Sequence, residues 1–197
     1  MKFDYHKKRN VLVPNNELKK LIYKLANKIN KDYKNKEPIL VALMNSSFVF
    51  IGHLVQHLEI GVEVEFLKIY TYSKVAEKKV DTERIKQHFD WDRLKGRDII
   101  VADELIDSGD SLDYVTKYIK KHCKPKSLKT VVLLEKKRKR PFAIKPDYVG
   151  KKIPNEWITG FGMGYKYRFR NLRDVVILDD EEKGFNKYEP KHKRVCK

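Results

Sequence analysis

The sequence predicts an α/β domain built on a mostly parallel, twisted sheet flanked by helices. Three observations carry this expectation. Strand-like and helix-like segments alternate through residues 39–134, the pattern of an α/β layer architecture. Strand candidates such as "PILVAL" and "LKTVVLLE" are nearly continuous apolar runs, as expected of strands covered on both faces. The helix candidates between them repeat their apolar residues at helical spacing.

The elements follow in order. "NNELKKLIYKLANKINKDY" predicts the first helix, with Asn16 as N-cap and Leu18, Leu21, Ile22, Leu25 and Ile29 on one face. "PILVAL" is the first buried strand. "SSFVFIGHLVQHL" predicts a helix whose face is Phe50, Ile51, Leu54, Val55 and Leu58. "VEVEFLKIY" alternates and is β-branched, so it reads as a strand. Residues 72–97 are polar and weakly patterned; a segment that long inside a compact domain suits a mobile lid. "RDIIVAD", "SLDYVTKYIKKH" and "LKTVVLLE" then predict strand, helix and strand. After the basic run "KKRKRP", several short strands broken by Pro and Gly lead to "DVVIL". Residues 179–197 form a charged tail.

Composition bounds the function. A chain of 197 residues, 41% hydrophobic and 36% charged, suits one domain with a real core. The excess of 44 Lys+Arg over 27 Asp+Glu, net +17, favours phosphate-bearing partners, nucleotides or nucleic acid. Most of the excess is lysine spread along the chain, which also suits a solvated surface. Two cysteines, Cys123 and Cys196, make neither a disulfide framework nor a metal-ligand spacing. No apolar run reaches the roughly 18 residues of a membrane span, and "MKFDYHKKRNVLVP" lacks a signal-peptide core. A cytoplasmic location is the expectation.

The chemistry concentrates in "DIIVADELIDSGDSL". A strand ends on two adjacent carboxylates, Asp103 and Glu104, and a small turn, Ser108 to Ser111, opens a helix. Gly109 lets the backbone turn tightly. Backbone N–H groups at a helix start, with the hydroxyls of Ser108 and Ser111, suit a phosphate. Capping by Asp107 or Ser108 is the plainer use of the same turn. Buried carboxylates are costly without partners, and they accept hydrogen bonds from sugar hydroxyls. Phosphate cradle plus hydroxyl acceptors describes a sugar-phosphate site. Asp110 is the one charge that such a cradle does not explain.

This stretch resembles the phosphoribosyl pyrophosphate motif of the type I phosphoribosyltransferases. "LLEKKRKRPFAIKPDYVGKKIPNEWITGFGMGYKYRFRNL" resembles the purine-binding half of the hypoxanthine-guanine members. "VALMNSSFVFIGHL" and "VEVEFLKIYTYS" fall in family order, so the resemblance covers roughly residues 10 to 178. It implies the type I fold over residues 1–197, with a small hood made from N- and C-terminal segments. It implies transfer of phosphoribose to hypoxanthine or guanine, Mg2+ as cofactor, and a homodimer or homotetramer.

The same resemblance implies roles. Asp103 and Glu104 touch the ribose hydroxyls, and with them indirectly a metal ion. Asp107 is the catalytic acid or base near purine N7. Ser108, Gly109, Asp110 and Ser111 hold the 5′-phosphate, and Arg170 the pyrophosphate. Lys136 reads the purine 6-oxo group, Trp157 stacks on the base, and Ile158 and Gly164 offer backbone groups to it. Thr71 and Tyr72 open the lid. From the residues alone, Lys136 also reads as a solvated lysine and Trp157 as core. The chain departs from the family where a Lys-Gly pair becomes Met44 and Asn45, and where Gly164 replaces an Asp. Those departures keep a second expectation open: a degenerate relative that binds nucleotide or nucleic acid with little catalysis.

Overall fold

The computed structural model describes residues 4–69, 71–74, 77–80, 89–140, 144–165 and 167–179, without the side chains of 71–74 and 77–80. A five-stranded parallel sheet forms its centre. In chain order the elements are β1 (Asn10–Val13), α1 (Asn15–Asp32), β2 (Ile39–Met44), α2 (Phe48–Val55) and β3 (Glu63–Lys68). A hairpin, β4 (Thr71–Lys74) and β5 (Glu77–Val80), and a 3-10 turn (Trp91–Leu94) precede β6 (Asp98–Ile106). Then come α3 (Asp110–His122), β7 (Ser127–Lys136), β8 (Tyr148–Ile153), β9 (Ile158–Thr159) and β10 (Val175–Ile177).

The sheet order is β3-β2-β6-β7-β8, every neighbour pair parallel. Its strands alternate their side chains between two cores. Leu40, Ala42, Ile100, Ala102 and Leu133 pack under α1 and α2 with Leu18, Ile22, Leu25, Phe50 and Leu54. Ile39, Val41, Ile99, Val101 and Val132 pack on the other face with Leu112, Val115 and Ile119 of α3. Burial on both faces explains why these strands read as unbroken apolar runs. The expected hood is present: β1, β10 and β9 form an antiparallel three-stranded sheet from the two ends of the described chain.

Several expectations change at element ends. Asn16 is not the N-cap of α1: the helix starts at Asn15, and Pro14 holds the cap position. Asp174 supplies the cap instead, accepting from the Asn15 N–H at 2.7 Å. Asn16, inside the first turn, accepts from the Glu17 N–H at 2.8 Å, so a tertiary and a local acceptor share the helix start. Helix α2 stops at Val55, earlier than "SSFVFIGHLVQHL" suggests, yet Leu58 still packs against the core. The expected lid of residues 72–97 is not one irregular segment. Its start pairs as a hairpin, Thr71 opposite Val80, and its end is anchored by Leu94, fully buried under α3. Residues 81–88 and the tail from 180 onward lie outside the described residues.

Candidate active site

The parallel order brings the carboxyl ends of β2, β6 and β7 side by side, the place where such sheets bind ligands. Three loops leave the sheet there: Met44–Ser47, Asp107–Gly109 and the basic run after Lys136.

The β6 loop makes the anion cradle. Gly109 takes φ 91° as the residue before α3, a left-handed conformation that glycine adopts without penalty. No side chain caps α3, so the capping role open to Asp107 and Ser108 is filled by neither. By helix geometry the N–H groups of the first turn have no partner within the helix. Asp110, unexplained by sequence, stands in that first turn together with Asp113. A carboxylate there interacts favourably with the helix dipole, by about 0.3–1 kcal/mol. Its charge serves the helix end.

Asp103 and Glu104 end up in different surroundings. Glu104 is 4% exposed, and its Oε2 is buried with no hydrogen-bond partner among the described residues. Asp103 is half-buried, and its Oδ1 accepts from the Glu104 N–H at 2.9 Å. Loss of solvent, and then the neighbouring Glu104 charge, push the Asp103 carboxyl well above its ordinary range. Glu104 is short of donors. Sugar hydroxyls or metal-bound waters would supply them, so the pair fits both.

Asp107 has the opposite problem solved. Lys136 Nζ lies 2.9 Å from its Oδ2, and Arg138 donates to its Oδ1 at 2.6 Å. Partial burial pushes this carboxyl up, but the hydrogen bonds and charges of Lys136 and Arg138 outweigh it and hold it below its ordinary value. Lys136 is only 8% exposed; the solvated-lysine alternative is excluded. Sequence reasoning did not single out Arg138, which was hidden in the run "KKRKRP".

Lys136 pairs with Ile153 of β8, and the chain reaches Trp157 four residues later. Trp157 is 55% exposed and meets the Tyr165 ring edge-on, centroids 5.8 Å apart. The core-packing alternative is therefore excluded. Ile158, next to it, is buried and paired with Ile177 in the hood.

The remaining residues form a second wall. Met44 ends β2, the Met44–Asn45 peptide is cis, and Ile69 N–H bonds the Met44 carbonyl at 3.3 Å. Gly162, at φ 93°, lies so close to this loop that a Cβ would stand 2.4 Å from the Ser46 carbonyl oxygen. Arg170 donates to the Gly162 carbonyl at 2.8 Å. Its guanidinium covers Gly164, where a Cβ would lie 2.8 Å from it. Two departures noted in the sequence, Asn45 and Gly164, thus flank the contact between this loop and the hood. Gly162 and Ser46 were missed by sequence reasoning. Of Thr71 and Tyr72 the structure describes backbone alone. Among the described residues no group of three or more His, Cys, Asp or Glu converges as a self-sufficient metal site.

Comparison with known proteins shows the family. The phosphoribosyl transferase domain model matches residues 10–166. The hypoxanthine-guanine phosphoribosyltransferase of Streptococcus pyogenes is 32% identical over 172 residues, covering 87% of this chain and 93% of that protein. The bifunctional protein TilS/HprT of Listeria innocua is 33% identical over 172 residues, but the chain spans only 26% of its length. The structure of Trypanosoma cruzi hypoxanthine phosphoribosyltransferase, complexed with the product IMP, superposes with TM-score 0.79. It is 26% identical and covers 94% of this chain and all of that one. With a family model over most of its length and a nearly full-length relative at this identity, the chain belongs to the phosphoribosyltransferase family.

Proposed function

We propose that the protein transfers the phosphoribosyl group of phosphoribosyl pyrophosphate to hypoxanthine or guanine, giving IMP or GMP and pyrophosphate. The observation that carries this reading is the buried Lys136 held against Asp107, at the end of the strand beside the phosphate turn. A buried ammonium donates to a 6-oxo group, whereas the 6-amino group of adenine offers it no acceptor.

The residues divide the work. The first turn of α3 and the hydroxyls of Ser108 and Ser111 bind the 5′-phosphate. Asp103 and the unpartnered oxygen of Glu104 accept from the ribose hydroxyls. Trp157, exposed and braced by Tyr165, stacks on the base. A purine ring nitrogen attacks C1 of the ribose, and the bond from C1 to pyrophosphate breaks with its electron pair on oxygen. Asp107, already a carboxylate, takes the N7 proton. Arg170 and the loop at Met44 and Asn45 face the pyrophosphate side. Mg2+ would be held mainly by substrate oxygens, with Asp103 and Glu104 accepting from its waters; when bound it neutralises charge on the leaving pyrophosphate.

We place the activity in the cytoplasm and in a homodimer or homotetramer. No described helix is long and apolar enough to cross a membrane. A degenerate relative that only binds nucleotide or nucleic acid is the weaker reading, because Asp107 and Lys136 are retained and paired. Incubation with phosphoribosyl pyrophosphate, Mg2+ and hypoxanthine, guanine, xanthine or adenine tests this. IMP or GMP is expected. Absence of product with every base overturns the proposal.

A further inference from the structure

Asp107 is held by two cations where one would be enough to fix it. Lys136 takes its Oδ2 and Arg138 its Oδ1, so each carboxylate oxygen has its own partner. The backbone makes this repeatable. Lys137 N–H donates to the Ile153 carbonyl at 2.8 Å, and Arg138 N–H to the Lys136 carbonyl at 3.0 Å. This tight turn after β7 sends the side chains two residues apart onto one carboxylate. These are the charged groups that face Asp107; its own loop adds Asp110, in the first turn of α3.

The second cation matters because the first has another task. Lys136 cannot give its full strength to the 6-oxo group of a base and remain the partner of Asp107. If it were the sole partner, its departure would leave a half-buried carboxylate uncompensated as it receives a proton. An uncompensated acid in that position is drawn toward protonation or swings to solvent. Arg138 is more exposed than Lys136 and holds the other carboxylate oxygen, Oδ1. It can stay.

We propose that Arg138 is a positioning residue for the transfer reaction: it keeps Asp107 ion-paired and oriented while Lys136 turns from Asp107 to the base. The inference rests on the purine-transfer reading of Asp107 and Lys136. Arg138 touches no reacting atom; it acts through Asp107. The lowered titration of Asp107, to which Arg138 contributes by hydrogen bond and charge, is consistent with this. A guanidinium suits the role, because it stays charged at every working pH and its planar donors fix a carboxylate's direction.

The test compares the full chain with Arg138→Gln and Arg138→Lys. First, the Asp107 side-chain carboxyl is titrated by carbon-13 NMR in the free protein, its signal assigned by loss in Asp107→Asn. The midpoint should rise in Arg138→Gln and fall back in Arg138→Lys; an unmoved midpoint overturns the proposal. Second, kcat/KM for the base is followed against pH. Arg138→Gln should lower it on the order of tenfold, less than the 10²–10⁴ of a lost acid–base group. Its acid limb should move to higher pH, and Arg138→Lys should restore it. An unchanged profile also overturns the proposal. The titration needs no turnover, so a wild-type protein without activity would remove the functional reading and leave the link between Arg138 and Asp107 separately measured.

Discussion

Gly162 and Ser46 join the hood to the main sheet through a contact only glycine permits: a Cβ at 162 would stand 2.4 Å from the Ser46 carbonyl oxygen. Gly162 also lies at φ 93° and accepts from Arg170 through its carbonyl. One residue thus sets the distance between the Met44–Ser47 loop and the arginine assigned to pyrophosphate. Gly162→Ala should displace both. An error of about 1 Å in such a site costs on the order of 10²-fold in rate. Steady-state kinetics should show a raised KM for phosphoribosyl pyrophosphate and a lower kcat, with the KM for the base much less affected. Unaltered pyrophosphate kinetics would separate this contact from function.

Trp157 gives a cleaner separation of stability from binding. A core tryptophan cut to alanine costs about 3–5 kcal/mol, whereas an exposed one costs about 0.5 kcal/mol or less. With 55% of its surface exposed, Trp157→Ala should unfold in denaturant at nearly the wild-type midpoint. It should lose base affinity about tenfold or more, since stacking is worth about 1–3 kcal/mol per base. A large drop in midpoint would return Trp157 to the core.

The reasons these features differ in legibility are physical. Leu40, Val41, Ile99, Ile100 and Val132 announce the sheet because burial on both faces demands apolar residues in sequence order. The anion turn is legible because Gly109, two serines and a helix start are all local. Asp174 capping α1 across 159 residues is not local, and the tempting Asn16 beside it misleads. Arg138 is concealed among five consecutive cations; only the turn that places it beside Asp107 distinguishes it from Lys137 or Lys139. The Gly164 departure reads in sequence as a lost carboxylate. The structure adds that the Arg170 guanidinium covers that place.

Asp103 and Asp107 stand four residues apart and titrate in opposite directions, so pH should act on them oppositely. Asp103 is raised, chiefly by loss of solvent. Between its ordinary value, near 3.8, and its higher folded value the native state binds more protons than the unfolded chain. Stability therefore falls as pH rises through that window. Asparagine removes the ionisation, and Asp103→Asn should raise the neutral-pH Tm by a few °C, the response to about 1 kcal/mol in a chain of this size. It should also weaken phosphoribosyl pyrophosphate binding. Asp107 is lowered by Lys136 and Arg138. Its stabilisation is present above the ordinary carboxylate value and disappears as pH falls through the lower folded one. Asp107→Asn should leave a flatter Tm curve in that acid window. Its neutral-pH cost should exceed the roughly 1 kcal/mol of an exposed pair, because Lys136, its side chain only 9% exposed, loses a charged partner. Scanning Tm against pH for the wild type and both variants checks the two signs in one experiment. A neutral-pH Tm that fell in Asp103→Asn would mean that the Asp103 charge is already compensated in the free protein.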